Sequence, residues 1–190
     1  MSEPVRRLFF ALWPDEAVNA QLTDATESAR RQLGEAGARL VATANIHITL
    51  AFLGNLAEER YRCVIKAAGR VQASSFALLL DRWGFFRRAQ VGYLAPSRIP
   101  GELEHLVGRL WEEAESCGLK PDHRPYQPHL TFARKVTARL DFPPPESVLW
   151  KPVDFVLVSS VTHASGAAYR VLKRWPLANG KLDHGPEYSA

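Results

Sequence analysis

Two short segments of this chain repeat one another, and that duplication constrains the fold more than any other feature. His47-Ile48-Thr49-Leu50 and His129-Leu130-Thr131-Phe132 share the pattern His-x-Thr-hydrophobic at an offset of 82 positions. Pro14 and Pro96 stand at the same offset of 82. Between each proline and its histidine lies one segment with helical periodicity. A unit of strand, proline, helix and histidine strand therefore occurs twice in one register. Repetition at this scale implies two like lobes related by a pseudo-twofold axis, which would set equivalent strand residues face to face across a central cleft.

The rest of the chain fits that plan. Leu8-Phe9-Phe10-Ala11-Leu12 reads as a buried strand. Over residues 14–33 the apolar positions Val18, Leu22, Ala25, Ala29 and Leu33 recur at spacings of three and four, with Pro14-Asp15 at the start and Gly34 at the end. Asn55, with Glu58 three residues on, is expected to cap a second helix carrying Tyr61, Val64, Ala68 and Val71 on its apolar face. Strands are expected over residues 76–82 and 91–95, joined through Gly84 and an Arg87-Arg88 turn. A third helix is expected within residues 96–117, with Leu103, Leu106, Val107, Leu110 and Trp111 at helical spacing and Gly118 as its stop. Two closing β-type runs fall at 153–161 and 169–177, around Gly166.

Side chains alternate along a strand, so His47 and Thr49 share one face while Ile48, Leu50 and Phe52 are expected to bury on the other. His129 and Thr131 pair in the same way. Each lobe thus offers an imidazole beside a hydroxyl. Opening a phosphodiester in line needs one group to take a proton from the attacking oxygen and another to give one to the departing oxygen. Two imidazoles near neutral pKa can divide that work. Fixed hydroxyl donors stabilise charge on the non-bridging oxygens. With 6 His and 7 Thr in 190 residues, chance would supply about 0.2 His-x-Thr triplets. Two in register point to function rather than to two sheet histidines with structural partners.

Asn45-Ile46-His47-Ile48-Thr49-Leu50-Ala51-Phe52-Leu53-Gly54 and Arg124-Pro125-Tyr126-Gln127-Pro128-His129-Leu130-Thr131-Phe132-Ala133-Arg134 resemble the two motifs of the 2H phosphoesterase superfamily. More closely, the chain is similar to the bacterial RNA 2′,3′-cyclic phosphodiesterases formerly called 2′-5′ RNA ligases. Arg7-Leu8-Phe9-Phe10-Ala11-Leu12 resembles that family's opening strand and Tyr169-Arg170-Val171-Leu172 its closing one. The resemblance implies an α/β fold of the α+β type: a duplicated, bilobal arrangement of two antiparallel-rich sheets with outer helices around a cleft. Residues 1–190 would form a single domain of two pseudo-symmetric lobes. It also implies hydrolysis of RNA 2′,3′-cyclic ends to 2′-phosphomonoesters, with His47 as proton donor and His129 as acceptor. Alternatives are reversible 2′-5′ ligation, action on small cyclic nucleotides and, from another class, an RNA-binding protein without catalysis.

Arg134 matches an arginine the family carries after its second motif. Strict alternation, however, turns it away from His129, so it needs a twist, a bulge or the strand end to reach a phosphate. Tyr126 could stack on a base, and Trp13, Trp83 and Arg87-Arg88 are further candidates for holding RNA. His105, His123, His163 and His184 lack a partner motif and are read as non-catalytic. No Asp, Glu, Cys or extra His accompanies either motif, so neither metal nor cofactor is expected.

The formal charge is +4 and the basic residues comprise 18 Arg and 6 Lys. Guanidinium forks fit phosphate, which agrees with an anionic partner: RNA ends or tRNA fragments bearing a 2′,3′-cyclic phosphate, or nucleotides. Cys63 and Cys117 have no neighbour at metal-ligand spacing and are expected to be free thiols in a reducing compartment. With no signal-peptide pattern near Met1 and no apolar run of membrane-spanning length, a monomeric cytoplasmic protein without membrane contact is expected.

Overall fold

The apolar run near the N-terminus buries both of its faces and forms an inner strand of the sheet. The structure, a computed structural model, describes residues 5–121, 124–137, 142–163 and 166–178. The elements follow in the order β1 (Arg6–Leu12), α1 (Glu16–Glu35), β2 (Arg39–Leu40), a 3-10 turn (Thr43–Asn45), β3 (Ile48–Leu56), α2 (Glu58–Ala68), β4 (Leu78–Phe86), β5 (Val91–Pro96), α3 (Gly101–Glu115), β6 (Leu130–Arg134), β7 (Val148–Trp150), β8 (Asp154–His163) and β9 (Gly166–Pro176). On β1, Leu8, Phe10 and Leu12 enter the large core shared with the helices. Phe9 and Ala11 point the other way, into a small cluster with Val156 and Val158 of β8. Phe9 of that second cluster packs against His47.

The strands run in the order β7-β4-β5-β6-β3-β1-β8-β9, with β2 added beside β6, and every named ladder is antiparallel. The two expected sheets are the two halves of this arrangement, β9-β8-β1-β3 and β6-β5-β4-β7. Among the described residues the halves pair with each other at one position, Ile48 with Leu130.

The repeat extends into the hydrogen-bond register. In the first half Phe10 pairs with Ala51 and Ala11 with Thr49, which leaves Leu50 as an extra residue. In the second half Gly92 pairs with Ala133 and Tyr93 with Thr131, which leaves Phe132 extra. All of these positions are 82 apart. Both motif strands thus carry a β-bulge at one equivalent position, three residues after the histidine.

The bulge overturns two expectations drawn from strict alternation. Phe132 and Ala133 are both buried, so Arg134 emerges on the exposed side. Phe52, its equivalent on β3, is 49% exposed rather than buried with Ile48 and Leu50. Asn55 also differs from expectation, pairing with Arg7 inside β3 while Ala57 takes the cap position of α2 without a side-chain bond. Because β3 runs on to Leu56, no residue before Ala57 is available to cap. Asp15 does cap α1, accepting from the Val18 amide at 2.8 Å.

The cysteines are not free. Cys63 of α2 and Cys117, just past α3, are joined by a disulfide. The helices lie side by side, with Arg70 donating to Glu113 at 2.8 Å, and bring two positions 54 residues apart to a Cα separation of 5.8 Å, within bridging range. Sequence spacing does not reveal such a pairing, and the reducing compartment inferred from free thiols loses that support. No helix of the described residues is long and apolar enough to cross a membrane.

Candidate active site

The seam between the half-sheets determines where the motif residues meet. In an antiparallel ladder that pairs Ile48 with Leu130, His47 lies opposite Thr131 and Thr49 opposite His129, all on one face. The four side chains form a two-by-two grid with the histidines on a diagonal. Directly opposed Cβ atoms in such a ladder are about 5 Å apart and diagonal ones about 7 Å.

Each imidazole is held in the same way. His47 Nδ1 donates to the Asn45 carbonyl and His129 Nδ1 to the Gln127 carbonyl, both at 2.7 Å. A carbonyl can only accept, so Nδ1 carries the proton and Nε2 of the neutral ring is left as the basic atom. Asn45 is anchored in turn by its side-chain amide, which donates to the Ala167 carbonyl at 3.4 Å.

The surroundings of the two rings break the symmetry. Trp13 stacks on His47, with planes 3° apart and centroids 5.0 Å apart, and Phe9 and Tyr169 close in at 5.0 and 5.1 Å. His129 meets Phe86 at 5.0 Å and Tyr93 at 5.3 Å. Tyr93 lies across Gly84 of β4, where a Cβ would fall inside its ring. That close approach explains a glycine in mid-strand. Gly84 therefore does not make the expected turn; the turn is at residues 87–90, with Gln90 at φ 53°.

Burial pushes the His47 pKa down to about 4, only partly offset by the Asn45 carbonyl, and the charges of Arg134 and His129 lower it further. His129 is lowered as well, first by burial and then by Arg134, against the raising effect of the Gln127 carbonyl. The Arg134 charge thus contributes to the lowering of both imidazoles. The bulge brings Arg134 to the exposed side of β6.

Tyr126 is half-buried, and its hydroxyl donates to the Thr49 carbonyl at 3.2 Å, tying the second motif to the first. Burial raises its pKa. One edge of its ring lines a cleft of about 840 Å³, together with Thr49, Phe52, Phe86, Arg87, Arg88 and His129. Trp83 lies outside this lining, donating to the Pro143 carbonyl at 2.8 Å and packing on Phe132. His105 is exposed on α3, and His163 ends β8. His123 and His184 lie outside the described residues. Among the described residues no three His, Cys, Asp or Glu side chains are grouped to hold a metal. Sequence reasoning missed the ring cage of Phe9, Tyr93 and Tyr169, because these residues come from strands whose neighbours are set by topology.

This geometry can be compared with known proteins. A family model described as LigT like phosphoesterase matches residues 12–93. An RNA 2′,3′-cyclic phosphodiesterase of Escherichia coli (strain K12) is 34% identical over 178 residues, covering 93% of this chain and 99% of that protein. A protein of the same name from Thermus thermophilus is 29% identical over 196 residues, covering 95% and 93%. The crystal structure of E. coli LigT in apo form matches with a TM-score of 0.83 at 31% identity, covering 94% of this chain and all of that one. The same protein complexed with 3′-AMP gives 0.82 at 30% identity, covering 92% and 99%. At this identity over nearly the full length of both chains, the protein belongs to the LigT-like phosphoesterase family.

Proposed function

We propose that the chain hydrolyses 2′,3′-cyclic phosphodiester ends of RNA to 2′-phosphomonoesters, working as a single unit whose two lobes each supply half of the site. The relatives are named for that substrate, and the diagonal histidine pair supplies the chemistry. The observation that carries the reading is the matched hold on the two rings: each Nδ1 is committed to a carbonyl two residues upstream, which leaves each Nε2 as the basic atom of its ring.

In this mechanism neutral His129 takes a proton from water at Nε2 as the water oxygen attacks phosphorus. The bond from phosphorus to O3′ breaks, and protonated His47 gives its Nε2 proton to O3′. Water thereby supplies one proton to His129 and the new P–O bond, and His47 loses the proton that O3′ gains. Thr49 and Thr131 donate to the non-bridging oxygens, where charge collects. Arg134 balances the phosphate, and Tyr126 fixes the approach to the second motif. The bound anion offsets the burial that keeps His47 neutral in the free protein, so substrate itself loads the acid. The substrates in view are RNA ends and nucleotides.

His47→Asn and His129→Asn should each lower turnover of a 2′,3′-cyclic phosphate by roughly 10²–10⁴ while leaving the circular dichroism spectrum intact. The product should be the 2′-phosphate isomer. Activity should persist in EDTA, since the motif residues include no ligand set for a metal. Full turnover by either variant, or a loss in EDTA reversed by a divalent ion, would overturn the mechanism.

A further inference from the structure

The cleft beside His129 is much larger than a phosphate needs, and its lining has a definite chemistry. It runs from Thr49 and His129 toward the β4–β5 turn, where Arg87 and Arg88 stand exposed. Phe52 and Phe85 present 49% and 40% of their surface along its walls. Among the described residues the lining side chains include no carboxylate. His47 is not among them, so the cleft leaves the catalytic grid on the His129 side only. Exposed phenylalanines spaced along an arginine-bearing groove are what successive bases and phosphates of a single strand require.

Resting on the function proposed above, we infer that this cleft is a subsite for the nucleotides upstream of the cyclic phosphate. The protein then favours a polynucleotide end over a free cyclic mononucleotide. The asymmetry of the repeat supports the assignment. At the equivalent positions 52 and 134, one lobe carries an aromatic ring and the other a guanidinium. Arg134 faces the reacting phosphate, and Phe52 offers a surface to the neighbouring base, with the Arg7 guanidinium 5.0 Å from its ring centre. Arg87 and Arg88, at the far end of the cleft, meet the next phosphate in the chain.

The test compares kcat/KM for a 2′,3′-cyclic mononucleotide and for a trinucleotide ending in the same cyclic phosphate. The wild-type protein should prefer the trinucleotide by about tenfold or more, the range expected when bases gain a stacking surface. In a double Arg87→Ala, Arg88→Ala variant, and separately in Phe85→Ala, that ratio should fall toward one. The double variant should also lose roughly one unit of salt slope in the binding of a 2′-phosphorylated trinucleotide, measured by fluorescence anisotropy. A wild-type ratio near one, or a preference and salt slope that survive both changes, would overturn the subsite. The binding arm does not depend on turnover. Trinucleotide binding that weakens in these variants while no cyclic phosphate is opened would therefore sink the hydrolytic reading and keep the subsite.

Discussion

His47 combines two requirements that conflict in the free protein, and the conflict has measurable consequences. The ring is held among Trp13, Phe9 and Tyr169 with its pKa near 4, yet the mechanism proposed above needs it to carry a proton. In the unfolded chain the same ring titrates near 6.5. Below that pH the unfolded state binds the extra proton and the folded state does not, so stability falls as the pH drops from about 6.5 to about 4. The loss should approach about 3 kcal/mol once both states are protonated. Urea titrations of His47→Asn should lack that part of the pH dependence; an unchanged slope would mean that the buried ring is not its source. Arg134 acts in the same direction on both histidines. Its replacement in Arg134→Met should raise both pKa values, moving both limbs of the bell-shaped kcat/KM profile to higher pH while lowering the rate. Limbs that stay in place would remove Arg134 from the site. The histidines and threonines were legible in the sequence because a strand face needs only a period of two. The side on which Arg134 emerges was not, because a single extra residue at Phe132 reverses the alternation.

Among the elements, the helices and β1 followed from apolar spacing, whereas the partners of each element did not. The periodicity of residues 14–33 marks α1 but does not say what it covers. The register of β4 against β5, which requires Gly84 beneath Tyr93, depends on a side chain nine positions away. The disulfide belongs to the same class. Cys63 and Cys117 sit in or beside separate helices and meet only because α2 and α3 lie together. Closing a loop of 54 residues restricts the unfolded chain by about 4 kcal/mol in the chain-entropy account. The reduced protein, or a Cys63→Ser variant, should therefore melt about 10 °C lower. Neither cysteine lines the cleft, so kcat at 25 °C should change little. Equal melting temperatures with and without reductant would show that the bridge adds no stability.

At the scale of the whole molecule, the 82-residue repeat was the most legible feature and also the most consequential, since it reappears in the bulges, the histidine bonds and the strand order. What it leaves open is how firmly the two halves are held together. Among the described residues the two half-sheets are joined by the Ile48–Leu130 pairing, fewer pairs than any ladder within either half. The helices span this gap crosswise. α1 follows β1 in sequence but packs on β6, and α3 follows β5 but packs on β3. Leu33 and Leu110, both nearly inaccessible, belong to these cross-members. In the mechanism proposed above, the spacing of acid and base then depends on the stiffness of these cross-members, which contact both half-sheets. Leu33→Ala, which should cost about 2–5 kcal/mol, should slacken them. Amide hydrogen exchange should then speed up first at Ile48 and Leu130, and kcat should fall although no group near the phosphate has changed. Uniform exchange with an unaltered kcat would locate the stiffness in the seam itself.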